Sequence, residues 1–133
     1  MASAVDSQMS QFRELQGELA TLRGDLGTVL GQETENELVL LELDELTDES
    51  KVYKLLGPVL LPQDLSEAQQ TVKKRLEFIR SEKERLERKV ADTEVRGNAL
   101  ASKIQQLQAG LQQTTADAVR AIAQEHGGAV GGA

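Results

Sequence analysis

The chain has 133 residues, a net charge of −7 and 28% charged residues, with no cysteine, no tryptophan, one tyrosine and two phenylalanines. So little aromatic mass argues against a compact globular core. The acidic balance argues against nucleic acid as the main partner, because phosphate needs a basic surface.

Without cysteine there is neither a disulfide framework nor thiolate chemistry. A composition dominated by Glu, Gln, Leu, Arg, Lys and Ala is that of long helices or coiled coil. The opening residues, Met1-Ala2-Ser3-Ala4-Val5-Asp6, lack the basic and apolar regions of a signal peptide. No apolar run approaches the roughly 20 residues that span a bilayer. A soluble protein of a reducing compartment, with no membrane partner, is expected.

Residues 1–7 read as an N-terminal tail or tip. From 8 to 47 the apolar residues fall into heptad steps: Phe12, Leu15, Leu19, Leu22, Leu26, Val29, then Leu40 and Leu43, with Glu33 and Asn36 on the seam between them. Spacing by threes and fours keeps one narrow stripe facing a partner helix, the condition for a left-handed coiled coil. Gly17, Gly24, Gly27 and Gly31 interrupt this first helix. Each costs about 0.8–1 kcal/mol relative to Ala, so the helix should be soft there.

Residues 48–65 form the hairpin segment. After the polar stop Thr47-Asp48-Glu49-Ser50, the runs Val52-Tyr53-Lys54-Leu55-Leu56 and Val59-Leu60-Leu61 flank Gly57-Pro58, which predicts a β-hairpin. Two strands alone are marginal in water. They cannot hide Val52, Tyr53, Leu55, Leu56, Val59, Leu60 and Leu61, each worth roughly 1.5–3 kcal/mol when fully buried. Strand addition to other subunits' hairpins explains this surface better than folding back over its own coil. Pro62 removes a backbone donor, which suits an edge strand or a strand end, the second strand in the latter case ending early.

A second helix is expected over 66–124, with Ser66-Glu67-Ala68-Gln69 as a capping box. Its seam runs through Val72, Leu76, Ile79, Lys83, Leu86, Val90, Thr93, Gly97, Leu100, Ile104, Leu107 and Leu111, and weakens to Thr114, Ala118 and Ala121. The Gly/Ala stretch 125–133 reads as a flexible tail. A short connection makes two long helices antiparallel neighbours. Setting Leu46 opposite Ser66 brings Phe12 near Leu100 and Val5 near Leu107, in a rod of roughly 60 Å. Helix 2 then overshoots helix 1 and is unpaired or frayed beyond about residue 111.

The same register sets part of the basic run Lys73, Lys74, Arg75 and Arg80 beside the acidic stretch Glu33–Glu49. Such flanking charges set register more than stability. At the free end, Val5, Met9, Phe12, Leu15, Leu107 and Leu111 cluster. Plain coiled-coil core is one reading of them; a partly exposed surface for capturing other chains is the other.

No catalytic constellation is present. His126 is the only histidine, and the glycines form no phosphate loop. No cofactor, metal or enzyme activity is expected.

Val52-Tyr53-Lys54-Leu55-Leu56-Gly57-Pro58-Val59-Leu60, then Gln63-Asp64-Leu65, then Val72-Lys73-Lys74-Arg75-Leu76-Glu77-Phe78-Ile79, resemble the signature of the prefoldin β-class. One hairpin rather than two separates this plan from the α-class. The resemblance implies a mainly α fold: a long antiparallel two-helix coiled coil, with one hairpin at the bend that joins an intersubunit β-barrel. It implies a cytoplasmic heterohexamer of α-class and other β-class subunits. Such an assembly captures unfolded proteins, notably actin and tubulin, at its coiled-coil tips. It delivers them without ATP to the cytosolic group II chaperonin. On this chain, Val52, Tyr53, Leu55, Leu56, Gly57, Pro58, Val59, Leu60 and Leu61 would then build the barrel, and the six free-end residues would touch clients. The alternative is a scaffold subunit of a related assembly without client holding.

Overall fold

The computed structural model describes residues 2–131. Helix α1 (Ala2–Asp44) is followed by strands β1 (Val52–Leu56) and β2 (Val59–Gln63) and by helix α2 (Leu65–Gly131). By its internal contacts the chain divides into two units. One holds residues 20–91; the other, here the terminal unit, joins the residues up to Leu19 with those from Asp92 onward.

In the unit of residues 20–91, the helices meet along the heptad stripe. Val29, Ile79 and Leu86 form a buried cluster against which Leu22 and Leu26 pack. Val72 and Ala68 are buried as well, and Leu76 is the most enclosed side chain, 2% exposed. These are seam residues spaced by threes and fours, so a narrow stripe is what gets covered. The residues between them remain wet, and Phe78, one step off the stripe, is 72% exposed.

The two polar seam positions of α1 are handled differently. Asn36 turns its amide onto its own helix and donates to the Gln32 carbonyl at 2.8 Å. Glu33 reaches across: Lys83 Nζ donates to its Oε2 at 2.9 Å and its Oε1 at 3.1 Å, while Arg80 Nε approaches Oε2 at 3.4 Å. Arg80 also donates to Glu37 Oε1 at 3.1 Å. The polar gap of one helix is therefore filled by the polar gap of the other. Cross-helix pairing in this unit centres on Arg80 and Lys83.

Between α1 and β1 the chain stops on its own polar atoms. The Ser50 amide donates to the Thr47 carbonyl at 2.9 Å, and the Thr47 amide to Ser50 Oγ at 3.3 Å. At the start of α2 the Ala68 amide donates to the Asp64 carbonyl at 3.0 Å. That bond makes Asp64 the N-cap, two residues before Ser66, because the N-cap carbonyl accepts the first helical bond. Gln69 does not close a box on its own helix. Its Nε2 crosses to the Asp44 side chain, donating to Oδ1 at 3.0 Å, and reaches the Leu43 carbonyl at 3.5 Å, which also accepts from the Leu46 amide at 3.2 Å.

Further boundaries differ from the sequence reading, the first being the end of helix α1 at Asp44 rather than at residue 47. Helix α1 starts at Ala2, and Val5 extends its buried stripe at 8% exposure. Helix α2 continues through the Gly/Ala stretch to Gly131, while residues 132 and 133 of that stretch lie outside the described residues. Strand β2 does not end before Pro62, which pairs with Tyr53. In the terminal unit Val5, Leu19, Thr93 and Ile104 are buried. Residues 112–126 are helical and exposed all round.

The hydrogen bonds from Lys83, with Arg80 adding its charge, hold the Glu33 carboxyl below its ordinary 4.5. In return Glu33 raises Lys83 above 10.5. Glu33 thus contributes its full stabilisation above its unfolded value near 4.5, and that contribution fades as pH falls through the lowered folded value. For Lys83 the contribution is complete below 10.5 and fades as pH rises through the raised value. Glu33→Gln is expected to lower the thermal midpoint of the full chain at pH 7. The gap from the parent protein should shrink steadily below pH 4.5, as followed by circular dichroism.

Candidate functional site

Two sets of residues were singled out by sequence, and each lies within one unit. The hairpin belongs to the unit of residues 20–91. β1 and β2 are antiparallel in the register Val52↔Gln63, Tyr53↔Pro62, Lys54↔Leu61, Leu55↔Leu60 and Leu56↔Val59. A two-residue loop, Gly57-Pro58, closes it. Gly57 has φ +57°, and the pyrrolidine ring fixes Pro58 near −65°. A positive φ at the first central position with glycine there is the type II′ turn, whose twist matches that of paired strands.

Side chains alternate across a strand. Tyr53, Leu55, Leu60 and Pro62 therefore share one face, which is entirely apolar. Val52, Lys54, Leu56, Val59, Leu61 and Gln63 share the other. Neither face is covered: Leu55 is 67% exposed, Leu60 62%, Leu56 52% and Val59 51%. Among the described residues the sheet has two strands, β1 paired with β2.

The second set lies in the terminal unit. Val5 is buried, whereas Met9, Phe12, Leu15, Leu107 and Leu111 are half-buried. Leu15 and Leu100 line an open groove whose rim carries Glu14, Glu18, Arg96 and Lys103. Glu18 and Arg96 pair across it at 3.9 Å, both well exposed, so the pair holds little energy. Val119 and Ile122 stand exposed on the C-terminal turns of α2.

Some exposed apolar residues escaped the sequence reading. Leu38, Val39 and Leu41 lie off the seam and are 56%, 43% and 56% exposed. Their signal was present in the run Leu38-Val39-Leu40-Leu41, which is apolar all round where a two-helix seam uses only Leu40. Among the described residues, no group of three His, Cys, Asp or Glu side chains is placed to hold a metal ion. No described helix is long and apolar enough to cross a membrane.

Residues 6–116 match the family model described as "Prefoldin subunit". The chain is 40% identical over 126 residues to prefoldin subunit 6 of Arabidopsis thaliana, an alignment covering 84% of this chain and 98% of that one. It is 35% identical over 112 residues to prefoldin subunit 6 of Homo sapiens, covering 84% and 87%. Its fold is similar to that of the prefoldin beta subunit from Thermococcus strain KS-1. The TM-score is 0.75 at 23% identity, covering 78% of this chain and 91% of that one.

The same substitution should act with opposite sign at two glycines. A Cβ at either Gly57 or Gly31 would meet nothing within 4 Å, so only the backbone decides. Gly57→Ala forces alanine to positive φ at about 1–2 kcal/mol, whereas Gly31→Ala should stabilise helix α1 by up to about 1 kcal/mol. Residue-resolved hydrogen exchange should show the Leu61 amide opening about 5- to 30-fold faster in the first variant. In the second, the α1 amides should be slowed.

Proposed function

This chain belongs to the prefoldin family, and from that premise we propose that it serves as a β-class subunit of a heterohexameric co-chaperone, holding unfolded proteins without ATP and passing them to the cytosolic chaperonin. As a prefoldin subunit it assembles with other prefoldin subunits. The family is one of chaperones, and the role proposed for this chain is binding rather than catalysis, with the cytoplasm as its compartment.

One observation carries the reading. A two-stranded hairpin with an all-apolar face, a second largely apolar face and two free edges can be completed only by more strands and another layer. Backbone pairing along the edges would give register, and the leucines would supply the buried area. At roughly 1.5–3 kcal/mol for each side chain fully buried, the hairpin leucines alone amount to a strong interface.

For client holding we look to the terminal unit. Met9, Phe12, Leu15, Leu107 and Leu111 are half-covered, so each offers part of its apolar surface without unfolding the coil. Weak contacts of this kind gain strength when several subunits present them to one chain, because later contacts become intramolecular. Glycines 17, 24, 27 and 31 would let α1 bend to different clients.

Two measurements test the halves separately. Leu55→Ser with Leu60→Ser should abolish the hexamer formed with α-class and other β-class subunits, read by native mass spectrometry. Helix content should stay unchanged. Removing residues 1–12 and 107–133 should leave the hexamer intact but lose suppression of aggregation of denatured actin. Retained suppression would leave the scaffold reading, an assembly subunit without client holding.

A further inference from the structure

The register of the hairpin makes its two edges chemically unequal. A two-residue loop closes on a hydrogen-bonded pair, and bonded and non-bonded pairs then alternate along an antiparallel ladder. Leu56↔Val59, Lys54↔Leu61 and Val52↔Gln63 are therefore the bonded pairs; Leu55↔Leu60 and Tyr53↔Pro62 are the non-bonded ones. Pro62 sits where the hairpin itself never needed its N–H. In a non-bonded pair, the N–H and C=O point away from the partner strand, toward the free edge. The outer edge of β1 thus offers both groups of Tyr53 and both of Leu55. The outer edge of β2 offers both groups of Leu60 but only the carbonyl of Pro62, since proline has no donor.

We propose that Pro62 ranks the two edges of this hairpin, so that the neighbouring subunit's strand on β1 makes the longer hydrogen-bonded seam and the one on β2 is held by a single donor, Leu60. The occupant of each edge is an extended strand of another prefoldin subunit, and the inference rests on the assembly reading above. The cost of an added strand at β2 is at least one missing bond out of a short ladder, because the pyrrolidine ring occupies the place of the hydrogen that would meet the added strand's carbonyl. The β2 seam is then the weaker junction, where the assembled ring opens first. The subunit consequently has a direction, with two non-equivalent neighbours even where their strands are alike.

The test uses the full hexamer reconstituted with its α-class and β-class partners. In the unmodified protein, residue-resolved hydrogen exchange should show the Tyr53 and Leu55 amides both becoming protected on assembly. Pro62→Val restores a donor with little change in bulk. The amide introduced at position 62 should be protected in the hexamer, and dissociation of this subunit should slow about 2- to 12-fold, the worth of one net hydrogen bond. An intact hexamer with Tyr53 and Leu55 exchanging as freely as in the isolated chain would overturn the ranking alone. So would an unprotected new amide together with an unchanged dissociation rate. Absence of any hexamer in the unmodified protein would instead overturn the assembly reading, and the ranking with it.

Discussion

A seam between two helices hides one stripe on each and no more. That limit governs the chain, because among the described residues only the two helices and one hairpin are present. Leu76 at 2% exposure and Phe78 at 72% stand two residues apart on the same helix, and the difference is only which side of the stripe they occupy. Every apolar residue off the stripe must either stay wet or be covered by another molecule. Leu38 and Leu41, Leu55 and Leu60, Val119 and Ile122 all fall in that class. Monomeric proteins rarely keep large apolar patches wet, whereas a subunit of an assembly can cover them with its neighbours.

The same limit explains why polar residues are admitted to the seam. A pure Leu and Val stripe slides, since each step by a heptad restores nearly the same contacts. Glu33 removes that freedom. Placed against anything but Lys83 and Arg80 it would be a half-buried charge without a partner, so the pair penalises wrong registers more than it rewards the right one. Gln69 does related work at the hairpin end of the same unit, tying the first turn of α2 to the last of α1. The charges are at seam positions because alignment, rather than added affinity, is what a short-loop helical hairpin lacks.

What was legible in the sequence was whatever depends on local period. The heptad steps give both helices, and the paired apolar runs around Gly57-Pro58 give the hairpin. Relations that need a register were not legible. Glu33 and Lys83 each look like a defect in one helix until the two are set opposite. Pro62 looks like a strand terminator until the ladder shows it at a non-bonded pair. The cap of α2 failed for a related reason: Asp64 with Glu67 and Ser66 with Gln69 are overlapping box patterns two residues apart. Nothing local decides between them. The structure starts the helix at Leu65, and Gln69 is engaged across the seam. The run Leu38–Leu41 was readable, but a period search keeps the residue that fits the seam and discards its neighbours.

Assembly and client holding would make opposite demands on apolar surface, and strand and helix suit them differently. A permanent interface gains from a strand, whose backbone groups fix register at every second residue and whose side chains present whole faces. Nothing half-hidden is useful there, and six of the hairpin's apolar residues are at least 43% exposed. A surface that must release many unlike chains gains from the reverse: no backbone edge to lock a strand in place, and side chains already partly satisfied. Helices provide that, since their backbone bonds are internal and Phe12, Leu15 and Leu107 are held half in the seam. Each such residue would add little per contact, so release of any one costs little and holding depends on number. A strand edge in that position would template extended clients into a lasting sheet, which a holding chaperone must avoid. The terminal unit is built from helix alone among its described residues, which is the construction that the proposed client holding would need.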